Sequence, residues 1–328
     1  MLTRSLRTDS LTRADIPAAV GLAVAALHCI TARPGAFGAD QVREHLPPFL
    51  EARIASNRAI GIHGTDGSLV GYAAYDQFPF HGDAAAFLPV MACATVPEAA
   101  ADLTELIYTT LAARWIRDGV RKHLVSLPPD RHDVEQRLFE IGFGRYVTVG
   151  MRDLTTVLAA PVSPSGADPT ATVRAATEAD VPGLSRLFDE SVGWYAASPI
   201  FLRFERTPPE ELSALIASPD SEVFVAEDHD GLAGFMGISI VDEPRVFDCV
   251  AAGAATLDGI GAYLTEPSRG RGIGVRLLDA CDAWARERAC PAIHVDFESA
   301  NPAARAFWPR HFRPSIHSLM RVVHSDSA

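Results

Sequence analysis

Leu264-Thr-Glu-Pro-Ser-Arg-Gly-Arg-Gly-Ile-Gly274 is the stretch on which the reading of this chain turns. Glycines at 270, 272 and 274 alternate with Arg271 and Ile273, and Arg269 precedes them. A backbone without Cβ atoms turns sharply and brings several N–H groups close to one ligand; where such a turn opens a helix, the dipole adds a positive end suited to a phosphate. The same residues would also serve as a plain loop closing a strand–helix unit. They are no dinucleotide fingerprint, since arginines occupy two of the positions around the glycines and no acidic ribose partner follows. Nor are they a P-loop, because Lys and Ser/Thr are absent after the last glycine.

Working outward, Glu222–Ala226 and Ala233–Val241 read as strands joined by a polar turn, and Ala255–Leu264 as one further strand. After the glycines, Ile273, Leu277, Leu278, Cys281, Trp284 and Ala285 recur at helical spacing, predicting an amphipathic helix from about Gly272 to Ala289. Pro291 follows it; Ile293, Val295 and Phe297 then alternate with His294 and Asp296 as a strand, and Asn301-Pro302 opens a last helix. This order implies an α+β fold, a mixed sheet with helices packed on it.

The first half repeats the second. Thr12-Arg-Ala-Asp-Ile-Pro17 answers Thr177-Glu-Ala-Asp-Val-Pro182, and Ser68-Leu-Val-Gly-Tyr72 answers Gly231-Leu-Ala-Gly-Phe235. The interval from Asp15 to Gly71 is 56 residues and that from Asp180 to Gly234 is 54, the mark of a long-period duplication. Between the copies, Ala160–Ala171 carries three prolines with Ser and Gly and reads as a linker. The expected domains are therefore 1–159 and 172–328, joined by 160–171.

Of the 328 residues, 29 are basic and 41 acidic. Almost all the excess lies between 174 and 258, with 5 basic and 16 acidic residues, whereas 259–328 holds 9 and 7. Such a field disfavours nucleic acid and anionic membrane as partners. The apolar run near the start is too short to cross a bilayer and no signal peptide precedes it, so a cytoplasmic protein is expected. Cys29, Cys93, Cys249, Cys281 and Cys290 are scattered, without a C-x-x-C pair or His at ligand spacing, which predicts reduced thiols and no metal site.

The glycine stretch resembles the pyrophosphate loop R/Q-x-x-G-x-G/A of the Gcn5-related N-acetyltransferase (GNAT) family, through Arg269, Gly272 and Gly274. Asn301-Pro-Ala-Ala-Arg-Ala-Phe-Trp308 is similar to a second block of that family, N-x-x-A-x-x-F/L-Y, at the expected distance downstream. The resemblance implies two tandem GNAT domains, with acetyl-CoA as co-substrate and its pantetheine inserted between the strands ending at Leu264 and Phe297. It implies cofactor contacts from Leu264, Thr265, Arg269, Gly270, Arg271, Gly272, Ile273, Gly274, Asn301, Phe307 and Trp308. At the corresponding place the first copy reads Val90-Met-Ala-Cys-Ala-Thr-Val-Pro-Glu-Ala-Ala-Ala-Asp102, without Gly or Arg, and is expected to be degenerate.

Attack by an amine needs a base, and a departing thiolate can use an acid. Asp296 stands where some family members carry a glutamate base, and Asp258 and Tyr263 are further catalytic candidates. Trp308 replaces the family's usual Tyr acid, leaving His311, His317 or Tyr263 as donors, or none. Trp194, Tyr195, Phe201 and Phe204, set in the acidic stretch, favour a small cationic amine as acceptor. The rival expectations are acetylation of a protein N-terminus or lysine, and a non-catalytic acyl-CoA binding module. A monomer or homodimer is expected.

Overall fold

The computed structural model of the chain describes residues 6–155 and 171–323; of the expected linker at 160–171, all but Ala171 lies outside them. The chain divides into two compact units. One holds the residues up to Val149 with Arg245–Val250 and the chain from Pro314, and the other holds Gly150–Pro244 with Ala251–Arg313.

In the first unit β1 (Arg7–Ser10) is followed by α1 (Ile16–Ala26), α2 (His28–Thr31) and α3 (Ala39–Ala55), then by the hairpin β2 (Ala59–His63) and β3 (Leu69–Ala74). β4 (Asp76–Phe80), β5 (Asp83–Leu88), β6 (Cys93–Thr95), α4 (Ala100–Arg117), β7 (Lys122–Leu127) and α5 (His132–Glu140) come next, and β8 (Gly144–Asp153) crosses the boundary between the units. β1, β2, β3 and β6 make an antiparallel set, whereas β5 runs parallel to β7. Leu103, Ile107, Leu111 and Trp115 of α4 bury their faces in this unit's core with Ile60, Ile62 and Val125.

The second unit repeats that order: β9 (Thr172–Ala175), α6 (Val181–Ala196), α7 (Pro209–Ala217), β10 (Ser221–Asp228), β11 (Gly231–Ile240), β12 (Ala255–Thr256), β13 (Ala262–Leu264), α8 (Ile273–Glu287), β14 (Ala292–Glu298) and α9 (Pro302–Phe307). β9, β10, β11 and β12 pair antiparallel in succession and β14 lies parallel to β12, a mixed and mostly antiparallel sheet flanked by helices, as expected. The apolar stripe of α8 from Ile273 to Ala285 packs on Ile238, Ile293, Val295 and Phe297. On the opposite face Leu184, Leu187 and Phe188 of α6 cover Val223, Val225 and Phe235, with the Phe188 and Phe235 rings stacked at 4.2 Å. Burying each such side chain is worth roughly 1.5–3 kcal/mol, which seats both helices firmly.

The repeated Thr-x-x-Asp segments fold alike. The Asp15 carboxylate accepts hydrogen bonds from the Thr12 amide (2.9 Å) and hydroxyl (2.7 Å), and Asp180 does the same for Thr177 (2.7 and 2.9 Å). Each satisfies donors left over where a helix begins.

Two expectations change. The strand expected over Ala255–Leu264 is broken into β12 and β13, because Gly259 and Gly261 take positive φ (92° and 80°) and push Ile260 toward the sheet. Gly237 makes room for it: a Cβ there would stand 2.0 Å from Ile260 Cγ2. The second change concerns β15 (Arg313–Val322), expected in the second domain: from Pro314 it belongs to the first unit, where it pairs with β7 and buries Leu319. All five cysteines are free, Cys29 and Cys93 half-buried and the others buried. No helix among the described residues is long and apolar enough to cross a membrane.

Candidate functional site

The break at Ile260 divides the partners of one strand. β12 pairs with β14, whereas β13 is hydrogen-bonded to β11 alone among the described strands, so β13 and β14 part company. From the end of β13 the chain runs through 265–272 into α8. Gly270 and Gly272 both adopt the left-handed conformation, with φ of 74° and 75°, and Gly272 is the N-cap of α8. L-residues with a Cβ disfavour that conformation, which explains these glycines. The amides of Gly270, Gly272, Ile273 and Gly274 meet no acceptor among the described residues. At Gly274 the surface is tight: an added Cβ would stand 3.3 Å from the Phe307 ring and 3.5 Å from Leu264 Cδ1. Leu264, Gly274 and Phe307 thus come together beside the parted strands, and the free amides and this cradle fit the pyrophosphate and pantetheine of a coenzyme A thioester.

The arginines of the loop have protein partners of their own. Arg269 donates from Nε to the Leu264 carbonyl (3.0 Å) and lies 4.0 Å over the Trp194 ring, with the Tyr263 ring 5.6 Å away. Arg271 faces Asp228 at 3.6 Å. Thr265 commits its amide to the Ala233 carbonyl (2.9 Å) and its hydroxyl to Ser268 (2.9 Å). The guanidiniums thus brace the loop through these contacts. Ile273 is core, as is Trp308, which packs edge-on to Phe312 at 5.4 Å. Asn301 is buried and caps α9, its Oδ1 accepting from the Ala304 amide (3.3 Å).

Carboxylates gather at the end of β14. Period two puts His294, Asp296 and Glu298 on one face, opposite Val295 and Phe297, which lie in the core against α8. The innermost of the three, His294, is buried and bonded through Nδ1 to Thr256 Oγ1 (3.0 Å), whose oxygen also accepts the Asp258 amide (3.0 Å). Tyr195, at the end of α6, stands beside Glu298 and Asn301 and meets the Phe204 ring at 5.0 Å. Burial lifts the Glu298 carboxyl above the usual carboxylate range, and the nearby charge of Asp258 acts in the same direction. Burial and then the charge of Glu298 likewise hold the Tyr195 phenol above its ordinary value, so it keeps its proton.

The structure thus draws Asp258, Asp296 and Asn301 to one place and adds Glu298, which the sequence did not single out, paired with Tyr195, which the sequence offered only as one of an aromatic group on the acceptor side. The signal for Glu298 was available: it stands one step of the strand alternation beyond Asp296. Tyr263 lies on the face covered by α6, packed with Phe235 and Ile260. His311 sits against Phe307 at 4.7 Å, its pKa lowered by burial and by the nearby Arg152 and Arg310. His317 lies in the first unit, where it faces Glu135 at 3.1 Å. Phe201 and Phe204 are exposed.

A mixed sheet thus splits beside a glycine-rich helix start. Residues 190–312 match the profile of the acetyltransferase (GNAT) family. It is similar to aminoglycoside N(6')-acetyltransferase type 1 of Klebsiella aerogenes, 35% identical over 96 residues, or 29% of this chain; the match spans 60% of the relative's length. The crystal structure of a GCN5-related N-acetyltransferase from Sphaerobacter thermophilus superposes over 99% of this chain and 98% of its own with a TM-score of 0.57 at 15% identity. A GCN5-related glucosamine N-acetyltransferase region of a fungal multi-domain GH3 β-N-acetylglucosaminidase covers 96% of this chain and 38% of its own (TM-score 0.50, 10% identity). These two likenesses concern the fold, and the first extends it over both units.

Proposed function

We propose that the second unit transfers an acetyl group from acetyl-CoA to a primary amine of a small cationic molecule, by direct attack. The observation that carries this is the Glu298–Tyr195 pair beside Asn301, together with the amides of Gly270, Gly272, Ile273 and Gly274 that meet no acceptor among the described residues. Those amides and the positive end of α8 would hold the pyrophosphate, and Leu264, Gly274 and Phe307 the pantetheine arm. When bound, acetyl-CoA supplies the activated carbonyl. An amine arrives protonated and is no nucleophile until it loses that proton. Glu298, with its pKa raised toward neutrality, accepts it more effectively than an exposed carboxylate would. Tyr195 keeps its proton and is the donor available at the same cluster. Asp258, Asp296 and Glu298 together set a negative field that concentrates cations. The aminoglycoside acetyltransferase relative supports a small polyamine-like acceptor.

The test is a panel of amines, aminoglycosides and short lysine peptides included, assayed with acetyl-CoA by release of free thiol. Turnover is expected with small cationic amines. Turnover confined to peptides would replace the acceptor class. Binding of acetyl-CoA without turnover of any amine would make this unit a binding module.

A further inference from the structure

We propose that the first unit carries a separate binding site for a small phosphorylated molecule, in a cleft of about 420 Å³ lined by Arg58, Arg114 and Arg117 with Ser56, Asn57 and Gln77. The volume is that of a small-ligand pocket. In a chain with 41 acidic residues against 29 basic, several arginines of this unit are matched: Arg53 to Asp76, Arg137 to Asp102 and Glu105, Arg145 to Glu135. The three in the cleft have no acidic partner among the described residues. Arg58 and Arg114 make no side-chain hydrogen bond there either, and Arg117 makes one, from Nε to the Ala113 carbonyl (3.1 Å).

Local folding gathers them. Arg58 follows the end of α3, where Asn57 in the left-handed conformation (φ 56°) turns the chain into β2. Arg114 and Arg117 are one helical step apart in the last turn of α4. Helix ends offer an alternative reason for their presence, since α3 and α4 both finish at the cleft and each carbonyl end carries about half a negative charge. Those two ends and Asp118 offset about two of the three guanidinium charges, which leaves about one positive charge unmatched. A second observation points the same way: the Gln77 side-chain nitrogen is buried without a partner, a donor still owed an acceptor. A phosphate monoester, with three terminal oxygens and up to two negative charges, engages several guanidinium forks at once, whereas one fork satisfies a carboxylate.

The experiment follows the melting temperature of the full chain as inorganic phosphate or glycerol 3-phosphate is added, against sodium chloride of equal ionic strength. Wild type and Gly272→Asp should both be stabilised beyond the chloride control. Arg114→Gln/Arg117→Gln should lose that response, with the phosphate affinity down at least about tenfold. Circular dichroism checks that this variant folds; if it does not, Arg58→Gln is the deciding variant, with the same loss expected. A wild type that responds no more than to chloride overturns the proposal. So does a response kept in the arginine variants, or one abolished by Gly272→Asp, which would place the anion on the glycine loop of the second unit.

Discussion

From Thr95 the first unit passes into α4 in four residues, 96–99, with Pro97 among them and no glycine; from Leu264 the second takes eight, 265–272, with left-handed glycines at 270 and 272. Both junctions follow a strand that has parted from its neighbour, since β6 pairs with β3 while β5 pairs with β7, as β13 pairs with β11 while β12 pairs with β14. Beside the first junction, β6 and β7 leave a pocket of about 30 Å³ lined by Cys93, Ala94, Thr95 and Ser126. That is room for little more than a water, too small for a pantetheine arm. The two units thus share a backbone plan and differ in whether a ligand can use it. The opening between strands is a property of the fold; the proposed anion site rests on the extra loop and its glycines. The strand beside the opening differs too: β7 reads Lys-His-Leu-Val-Ser-Leu, whereas β14 ends in Asp296 and Glu298.

The largest effect that would sharpen this contrast concerns that last difference. Glu298→Gln should lower kcat by roughly 10²–10⁴ and leave acetyl-CoA affinity nearly unchanged, as steady-state kinetics and calorimetry would read. The base works deprotonated and its pKa is raised, so wild-type kcat should rise with pH through a limb above the usual carboxylate range. That limb should vanish in the variant. Asp296→Asn should cost less, and a larger loss there would move the base to Asp296.

Next in size, Gly272→Asp should weaken acetyl-CoA binding about a hundredfold, near 2.8 kcal/mol, by setting a carboxylate among the amides and a Cβ at positive φ. Val96→Asp in the first junction should leave binding unchanged; a comparable loss there would show that both junctions hold cofactor. Titration calorimetry on wild type should find one acetyl-CoA per chain, and two equivalent sites would break the comparison outright.

The smallest effects test where the units agree. At Asp180 the hydrogen bonds from Arg174 (2.7 and 2.8 Å) outweigh burial and hold the carboxyl well below its usual range. At Asp15 burial opposes ionisation, but Thr12 and His63 prevail and the pKa is again lowered. A depressed folded pKa means that the stabilisation is complete above the unfolded carboxylate value and is lost as pH falls through the folded one. Urea unfolding at neutral pH should show Asp180→Asn costing about 2 kcal/mol and Asp15→Asn about 1 kcal/mol, the charged Arg174 partner making the difference. Equal losses would show that Thr alone carries both caps.

Whatever neighbouring residues settle among themselves is legible in the sequence. The helix expected after the glycines lies within two residues of its observed ends, because the apolar spacing of Ile273–Ala285 is written into nearby positions. The Thr-x-x-Asp caps, the helix opening after Asn301 and the duplication are of the same kind, set by groups a few residues apart. The glycines at 270, 272 and 274 mark, by residue type alone, a backbone that side chains with a Cβ would strain or crowd.

Tertiary structure decided the rest, for reasons of distance along the chain. Arg269 and Arg271 have the composition of phosphate ligands, but Trp194 and Asp228 fold against them, partners more than forty residues away. Asp296 and Glu298 share a strand face, but only the folded protein buries Glu298, and that burial raises its pKa against the opposing hydrogen bond from Tyr195. The destination of β15 is equally hidden, since alternation tells which face of a strand is apolar but not which strand it will pair with. Local pattern fixes conformation through steric and hydrogen-bonding limits on adjacent residues, whereas burial, charge pairing and strand partnership depend on what the fold brings near, and those set the chemistry of this site.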